Sequence, residues 1–377
     1  MSQPTYPTSR AVAERFEAYF RGLCERCDGR STGRLEVPDA RSIAAIIEAG
    51  FWASLKREEG YPPKISLAYI SPESAALAMR FERPLELAAR PLVKLAPAVE
   101  RPEIHLGIWP GAQGLLVWGA TRSVPPYCFV LEVVAPGLLV VKHRRRDSSG
   151  KYVNVAVFEG DQLKVLDLRP TPEGDSPRFD TALLRPHLDP DGTALDVLVQ
   201  LAASMRAHSR GGALLVVPTG DNRWLESIVR PIPYAVVPPS TQLADLLRSD
   251  AAGRDHAHWS DDLAHAIGAI AGLTAVDGAT VINADCEVLA FGAKIGRPPG
   301  AQRVEQVVVT EPIEGAQRLI VHPTELGGTR HLSGAQFVQD QPEAIAMVAS
   351  QDGRFTVFAW SLVDNLVKAH RVEALLL

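Results

Sequence analysis

The chain has 377 residues, 46% hydrophobic and 22% charged, a composition that excludes a disordered or low-complexity chain and a length that suggests two domains, with room for a third. Its net charge of −5 is unevenly placed: residues 1–193 carry 25 basic and 24 acidic side chains, and residues 194–377 carry 14 and 20. Nucleic-acid backbones are held by clustered Lys and Arg, so the acidic second part excludes a broad surface of that kind, and a phosphate ligand there needs a local site or a metal.

Along the chain, Ala11, Val12, Phe16, Tyr19, Phe20 and Leu23 recur at spacings of one, three and four and predict an amphipathic helix over 10–28, stopped by Gly29. Asp39 is a good N-cap for a second helix to about Lys56, with Ile43, Ile46, Ile47, Phe51 and Leu55 on one side. From Lys64 to Leu168 the pattern shortens to β-type runs at 65–70, 105–109, 114–120, 127–134, 137–143, 152–158 and 162–168. Turn residues separate them, which predicts an antiparallel meander or barrel-like sheet preceded by helices, an α+β domain over 1–180. The stretch Arg169 to Gly192 holds five prolines and has linker composition, so the domain boundary is expected there.

The second domain is expected over 194–377. A helix at 194–207 leads through Ser209-Arg210-Gly211-Gly212 into the strand ALLVVP at 213–218, followed by a long irregular section to Trp259. Ser260 is expected to cap a helix with Asp261 and Asp262 in its first turn. Then come a hairpin around Ala284-Asp285, the strand RLIVH at 318–322, a helix opening after Gly327-Gly328-Thr329-Arg330-His331, the hairpin of 344–360 and a last helix from about Leu362. Helices interleaved with strands and hairpins predict an α/β fold with a mixed sheet.

Four cysteines are too few for a disulfide framework in a chain of this size, which favours a reducing compartment, with cytoplasm expected. The opening MSQPTYPTSR lacks a signal-like apolar stretch, and no segment reads as a membrane span. Cys24-Glu25-Arg26-Cys27 is a CxxC with no second pair or suitably spaced His, and reads as two incidental cysteines, with metal or redox chemistry as the sharper alternative. The basic run 142–146 reads as a solvated hairpin tip, with an anion or nucleic-acid contact as the sharper alternative. His256 and His258, with His265 nearby, offer two metal ligands, but a ligand set needs three or four convergent groups and nothing in a loop of this composition fixes these.

Three pieces of the second half carry chemistry in combination. Asp277-Gly278-Ala279 lies directly before a strand, where a carboxylate projects from a tight turn and Gly admits a ligand to the backbone. Gly328, Thr329, Arg330 and His331 open a helix, so oriented N–H groups, a hydroxyl and a guanidinium face the same end and suit phosphate oxygens. Ser350-Gln351-Asp352-Gly353 forms a hairpin turn that offers a second carboxylate.

In this order and context, residues 194–362 resemble the diadenylate cyclase domain of bacterial cyclic di-AMP synthases. The matches are the Gly-Gly-ALLVV strand at 211–217, the DGA of Asp277-Gly278-Ala279, and a GTRHR motif followed as far as His331. The resemblance implies that two ATP molecules, one in each of two facing domains of a homodimer or higher homo-oligomer, condense to cyclic di-AMP with release of pyrophosphate. It implies a Mg²⁺ or Mn²⁺ ion on Asp277, with Asp352 as the second acid. It makes Asp277, Arg330 and Asp352 the catalytic residues, and Gly278, Ala279, Gly328, Thr329, Arg330, His331 and Ser350 the nucleotide-binding ones. This chain departs from the family at Leu332, where the motif has a second arginine, and at Gln351 and Asp352, where it has two glutamates. Those departures imply the alternative of a catalytically impaired nucleotide-binding sensor of the same fold. The first half, through EAGFWASLKREEGYPPKISLAYISPE at 48–73, is similar to sensor-like amino-terminal domains joined to divergent diadenylate cyclase domains, which implies regulation by an unknown ligand or protein.

Overall fold

The computed structural model describes residues 6–25, 36–101, 103–112, 114–144, 152–166, 197–249 and 256–377. The chain divides into two compact units, Met1–Asp167 with Leu377, and Leu168–Leu376. Among the described residues no helix is long and apolar enough to cross a membrane.

Among the described residues the first unit is an eight-stranded sheet with three α-helices. Helix α1 (Pro7–Glu25) and α2 (Ala40–Ser54) follow the predicted periodicity. Asp39 caps α2 by accepting from the Ser42 amide at 2.8 Å. The strands are β1 (Ile65–Tyr69), β2 (Met79–Glu86), β3 (His105–Gly111), β4 (Gly114–Thr121), β5 (Phe129–Ala135), β6 (Leu138–Arg144), β7 (Tyr152–Glu159) and β8 (Gln162–Val165), with α3 (Ala89–Leu95) between β2 and β3. Their order is β2-β4-β3-β1-β5-β6-β7-β8. The sheet is therefore open and mixed, not an antiparallel meander or barrel. β1 pairs with β3 in parallel because β2 and α3 form a crossover between them, and only β5 to β8 form a meander.

One face of this sheet packs on the helices. Phe16 and Phe20 of α1 and Ile43, Ile46 and Ile47 of α2 are buried with Leu67, Phe129, Leu131 and Phe158, and each such side chain stabilises the fold by about 1.5–3 kcal/mol. The opposite face holds a smaller cluster, with Ala68, Ile70, Trp118, Cys128 and Val130 buried. Alternate residues of β1 and β5 serve the two faces, as strand geometry requires.

The second unit is a nine-stranded mixed sheet. Its elements are α4 (Val197–Ala207), β9 (Gly212–Val217), β10 (Tyr234–Ser240), α5 (Gln242–Arg248), α6 (His256–Leu273), β11 (Ala279–Asn283), β12 (Val288–Ala293), β13 (Val307–Thr310), β14 (Leu319–Val321), α7 (Thr329–Asp340), β15 (Ile345–Ala349), β16 (Phe355–Ser361) and β17 (Leu366–Arg371). The order is β10-β12-β11-β9-β15-β16-β17-β13-β14, parallel at β9/β11 and β13/β17. α4, α5 and α6 pack on one face with Leu214, Val216, Ile282 and Phe355; α7 packs on the other with Leu215, Val217, Val281 and Phe358. Both faces of β9 are covered, so its run GALLVV is buried throughout.

Several expectations are corrected. α6 is already helical at His256, so Ser260 lies inside it; Trp259 anchors this first turn by donating from Nε1 to the Leu246 carbonyl at 3.2 Å. The expected last helix is instead strand β17. The spacing of Leu362, Val363, Leu366 and Val367 mimics a helix, but Leu362 and Val363 are 89% and 70% exposed in a turn, while Val367 and Ala369 enter the core on alternation. The section 222–259 contains β10 and α5, with prolines tolerated in β10 because it is an edge strand. Lys142, His143 and Arg144 belong to β6 and not to a hairpin tip. Lys142 pairs with Glu132 and lies 4.6 Å over the Tyr152 ring, and Arg144 donates to the Val124 carbonyl at 2.9 Å. Arg145 and Arg146, Cys27 and the expected boundary 169–192 lie outside the described residues.

Candidate functional site

Three chain segments meet where β9 and β11 begin and the antiparallel β15 ends. The parallel register pairs Ala279 with Ala213, and the antiparallel register pairs Ala349 with Gly212. Asp277-Gly278, Arg210-Gly211 and Ser350-Gln351 therefore emerge side by side, and α7, packed over β15 and β16, presents its amino terminus to the same end. A cavity of about 550 Å³ opens there. It is lined by Asp277, Gly278, Ala279, Gly328, Thr329, Arg330, His331 and Ser350, all expected from the sequence. Lys294, Ile295 and Ser333 also line it, and the sequence reading missed them. Ser333 follows Thr329 at i+4 and so shares its helix face, a signal that periodicity carries. Leu332 is absent from the lining: it packs against the core beneath α7.

Backbone form at this end is set by glycine. Gly278 has φ +107, and a Cβ there would lie 2.5 Å from the carbonyl carbon of Gly292 on the neighbouring strand, so β11 and β12 approach as only glycine permits. Gly211 has φ +71, and a Cβ there would lie 3.0 Å from an Arg330 Nη1, so the guanidinium rests against bare backbone. Gln351 Nε2 donates to the Arg210 carbonyl at 3.3 Å and ties the 350 turn to this loop.

The chemistry is that of an anion site with one acid. The first helical turn of α7 has no acidic residue and no side-chain cap on its N-cap Gly328, which leaves its free N–H groups and the positive end of the dipole facing the cavity. Among the described residues the Arg330 guanidinium has no acidic partner. The Asp277 carboxylate is 90% exposed, and its Oδ2 lies 3.9 Å from Lys294 Nζ. His331 is buried, its ring edge-on to Phe358 at 6.2 Å, with Nε2 unpartnered. Burial lowers its pKa, with opposing and reinforcing charges of Asp352 and Arg354 behind that, so the ring is neutral near pH 7.

Asp352 does not line the cavity. Its carboxylate lies 3.4 Å from Arg354 Nε and accepts from the Arg354 amide at 3.3 Å. Partial burial pushes its pKa up, but hydrogen bonds from Ser350 and the Arg354 amide, and the Arg354 charge, outweigh this and hold it low. Asp277 is thus the one carboxylate in the lining, and no cluster of three metal-ligating acids, His or Cys exists among the described residues. Mg²⁺ is commonly held by one or two carboxylates together with substrate phosphates. The donor set therefore fits an ion that arrives with a polyphosphate, and does not fit one caged by protein alone. His256 and His258 lie two residues apart in the first turn of α6.

Residues 32–122, about a quarter of the chain and including the 48–73 stretch, match the family described as Probable sensor domain DACNV. No curated protein matches the chain.

Proposed function

We propose that the second unit is a nucleotidyltransferase similar to diadenylate cyclases, condensing two ATP into cyclic di-AMP or a related cyclic dinucleotide under control of the amino-terminal sensor domain. The observation that carries this reading is the convergence of Asp277-Gly278-Ala279, Gly328 to Arg330 and Ser350 in a single cavity of nucleotide-compatible size. The matched sensor domain supports it from the other half of the chain, since that domain typically accompanies diadenylate cyclases.

In this reading each 3′-hydroxyl attacks the α-phosphorus of the other nucleotide, so two copies of the unit face each other and pyrophosphate leaves twice. The N–H groups at 328–330 and the Arg330 guanidinium hold phosphate oxygens and stabilise the charge that grows at phosphorus, where loss of a positioned donor costs about 10²- to 10³-fold in rate. Asp277 accepts the incoming nucleophile's proton or holds a bound ion, and its exposure in the cavity lets it exchange the Lys294 contact for either. A Mg²⁺ or Mn²⁺ ion, when bound at Asp277, would polarise the phosphates and promote ionisation of the hydroxyl. Asp352 acts in this scheme by positioning the 350 turn through its contacts to the Arg354 amide and guanidinium.

Incubation with ATP and Mn²⁺ is expected to release pyrophosphate and a cyclic dinucleotide of matching mass, with Asp277→Asn at least about 100-fold slower. Absence of product from both forms would sink turnover. A second reading, a nucleotide-binding sensor without turnover, is favoured by Leu332 packing in the core and Asp352 lying outside the lining. Its signature is calorimetric ATP binding without product, lost on Arg330→Ala.

A further inference from the structure

We propose that Lys294 is a phosphate-binding residue of the cavity, which pairs with Asp277 while the site is free and turns to the ligand's phosphates when a divalent ion takes its place at the carboxylate. The proposal rests on the polyphosphate reading of the site. Lys294 directly follows β12, and the register Ala279 with Ala293 places it against Gly278. On the far side its backbone is fixed: the Val229 amide donates to the Lys294 carbonyl at 2.8 Å, and the Gly296 amide donates to the Ser227 carbonyl at 2.9 Å. The side chain is left 67% exposed and lines the cavity.

Charge balance then assigns its role. A triphosphate brings several negative charges, while the lining offers Arg330, Lys294 and the opposing Asp277, with His331 neutral. With Lys294 held by Asp277, a single free cation remains. An ion on Asp277 removes that restraint, since a carboxylate paired to a divalent ion holds an ammonium weakly, and the lysine's four-carbon stem lets its head swing to an adjacent phosphate. Ion and phosphate binding become cooperative through one side chain, with no movement of the fold.

Calorimetric titration of the full chain with inorganic triphosphate, in EDTA and in Mn²⁺, tests this. Lys294→Met is expected to weaken binding about tenfold or more in Mn²⁺ and by less in EDTA, while Lys294→Arg stays within about threefold of the unaltered protein. Circular dichroism and the thermal midpoint should not change, because the side chain is mostly solvent-exposed; Lys294→Gln serves as the second variant. Equal affinity of Lys294→Met and the unaltered protein under both conditions would overturn the role of Lys294 and leave the polyphosphate reading standing. No binding by the unaltered protein, with or without Mn²⁺, would overturn both.

Discussion

His105 shows how a single residue ties stability to pH in the first unit. Its ring is 2% exposed, with Nδ1 2.7 Å from Ser66 Oγ and Nε2 2.8 Å from Tyr152 Oη, so one nitrogen donates and the other accepts. Burial, with a smaller contribution from the Lys142 charge, pushes its pKa down to about 4. The unfolded chain takes up a proton near 6.5 and the folded one only near 4. Stability is therefore full above the unfolded value and is lost as pH falls from about 6.5 to about 4, with no further loss from this group below that. The loss through His105 is about 3 kcal/mol. Urea unfolding at pH 7 and pH 4.5 should show it, and His105→Gln should remove about 2 to 3 kcal/mol of the difference between the two pH values. An unchanged difference in the variant would mean that other groups carry the pH dependence. None of this was legible in the sequence, because His105, Ser66 and Tyr152 are distant in the chain and only the parallel pairing of β1 and β3 joins the first two. Asp277 and Arg330 were legible, since each stands in a short motif whose glycines announce the backbone it needs.

At the level of elements, the proposed phosphate site depends on what the first turn of α7 lacks. Gly328 at φ −75 leaves open space where a Cβ would be and offers no cap, so an aspartate fits there without strain. Gly328→Asp is expected to stabilise the helix by about 0.5 kcal/mol, through a capping oxygen and a negative charge at the positive end of the dipole. The same charge occupies the N–H groups and repels phosphate, so triphosphate affinity should fall at least about tenfold while the thermal midpoint rises. Parallel movement of both quantities would show that the α7 terminus does not bind the ligand. The opening of α7 was readable from GGTRH. Lys294 was not, because a hairpin closed at Ala284-Asp285 by simple counting sets Gly278 against Phe291. Two register shifts between β11 and β12 displace the pairing and bring Lys294 into the site. Strand β17 was misread for a related reason: a short apolar run fits both periods, and only its pairing with β16 and β13 decides.

For the whole molecule, the cores decide how the chain responds to damage. The buried clusters around Phe16, Phe129 and Phe158 and around Trp118 draw on residues 6–165, whereas those around Phe355 and around Phe337 draw on residues 197–376. Within each unit, apolar burial ties the sheet to its own helices. Phe158 and Phe355 are both fully buried, and truncating either to alanine costs about 3–5 kcal/mol by lost transfer energy and the cavity left behind. Differential scanning calorimetry should then resolve two transitions. Phe158→Ala should lower one and Phe355→Ala the other, and triphosphate should raise only the transition that Phe355→Ala lowers, by mass action on the unit that binds it. A single transition moved by both variants and by the ligand would mean that the two cores melt as one.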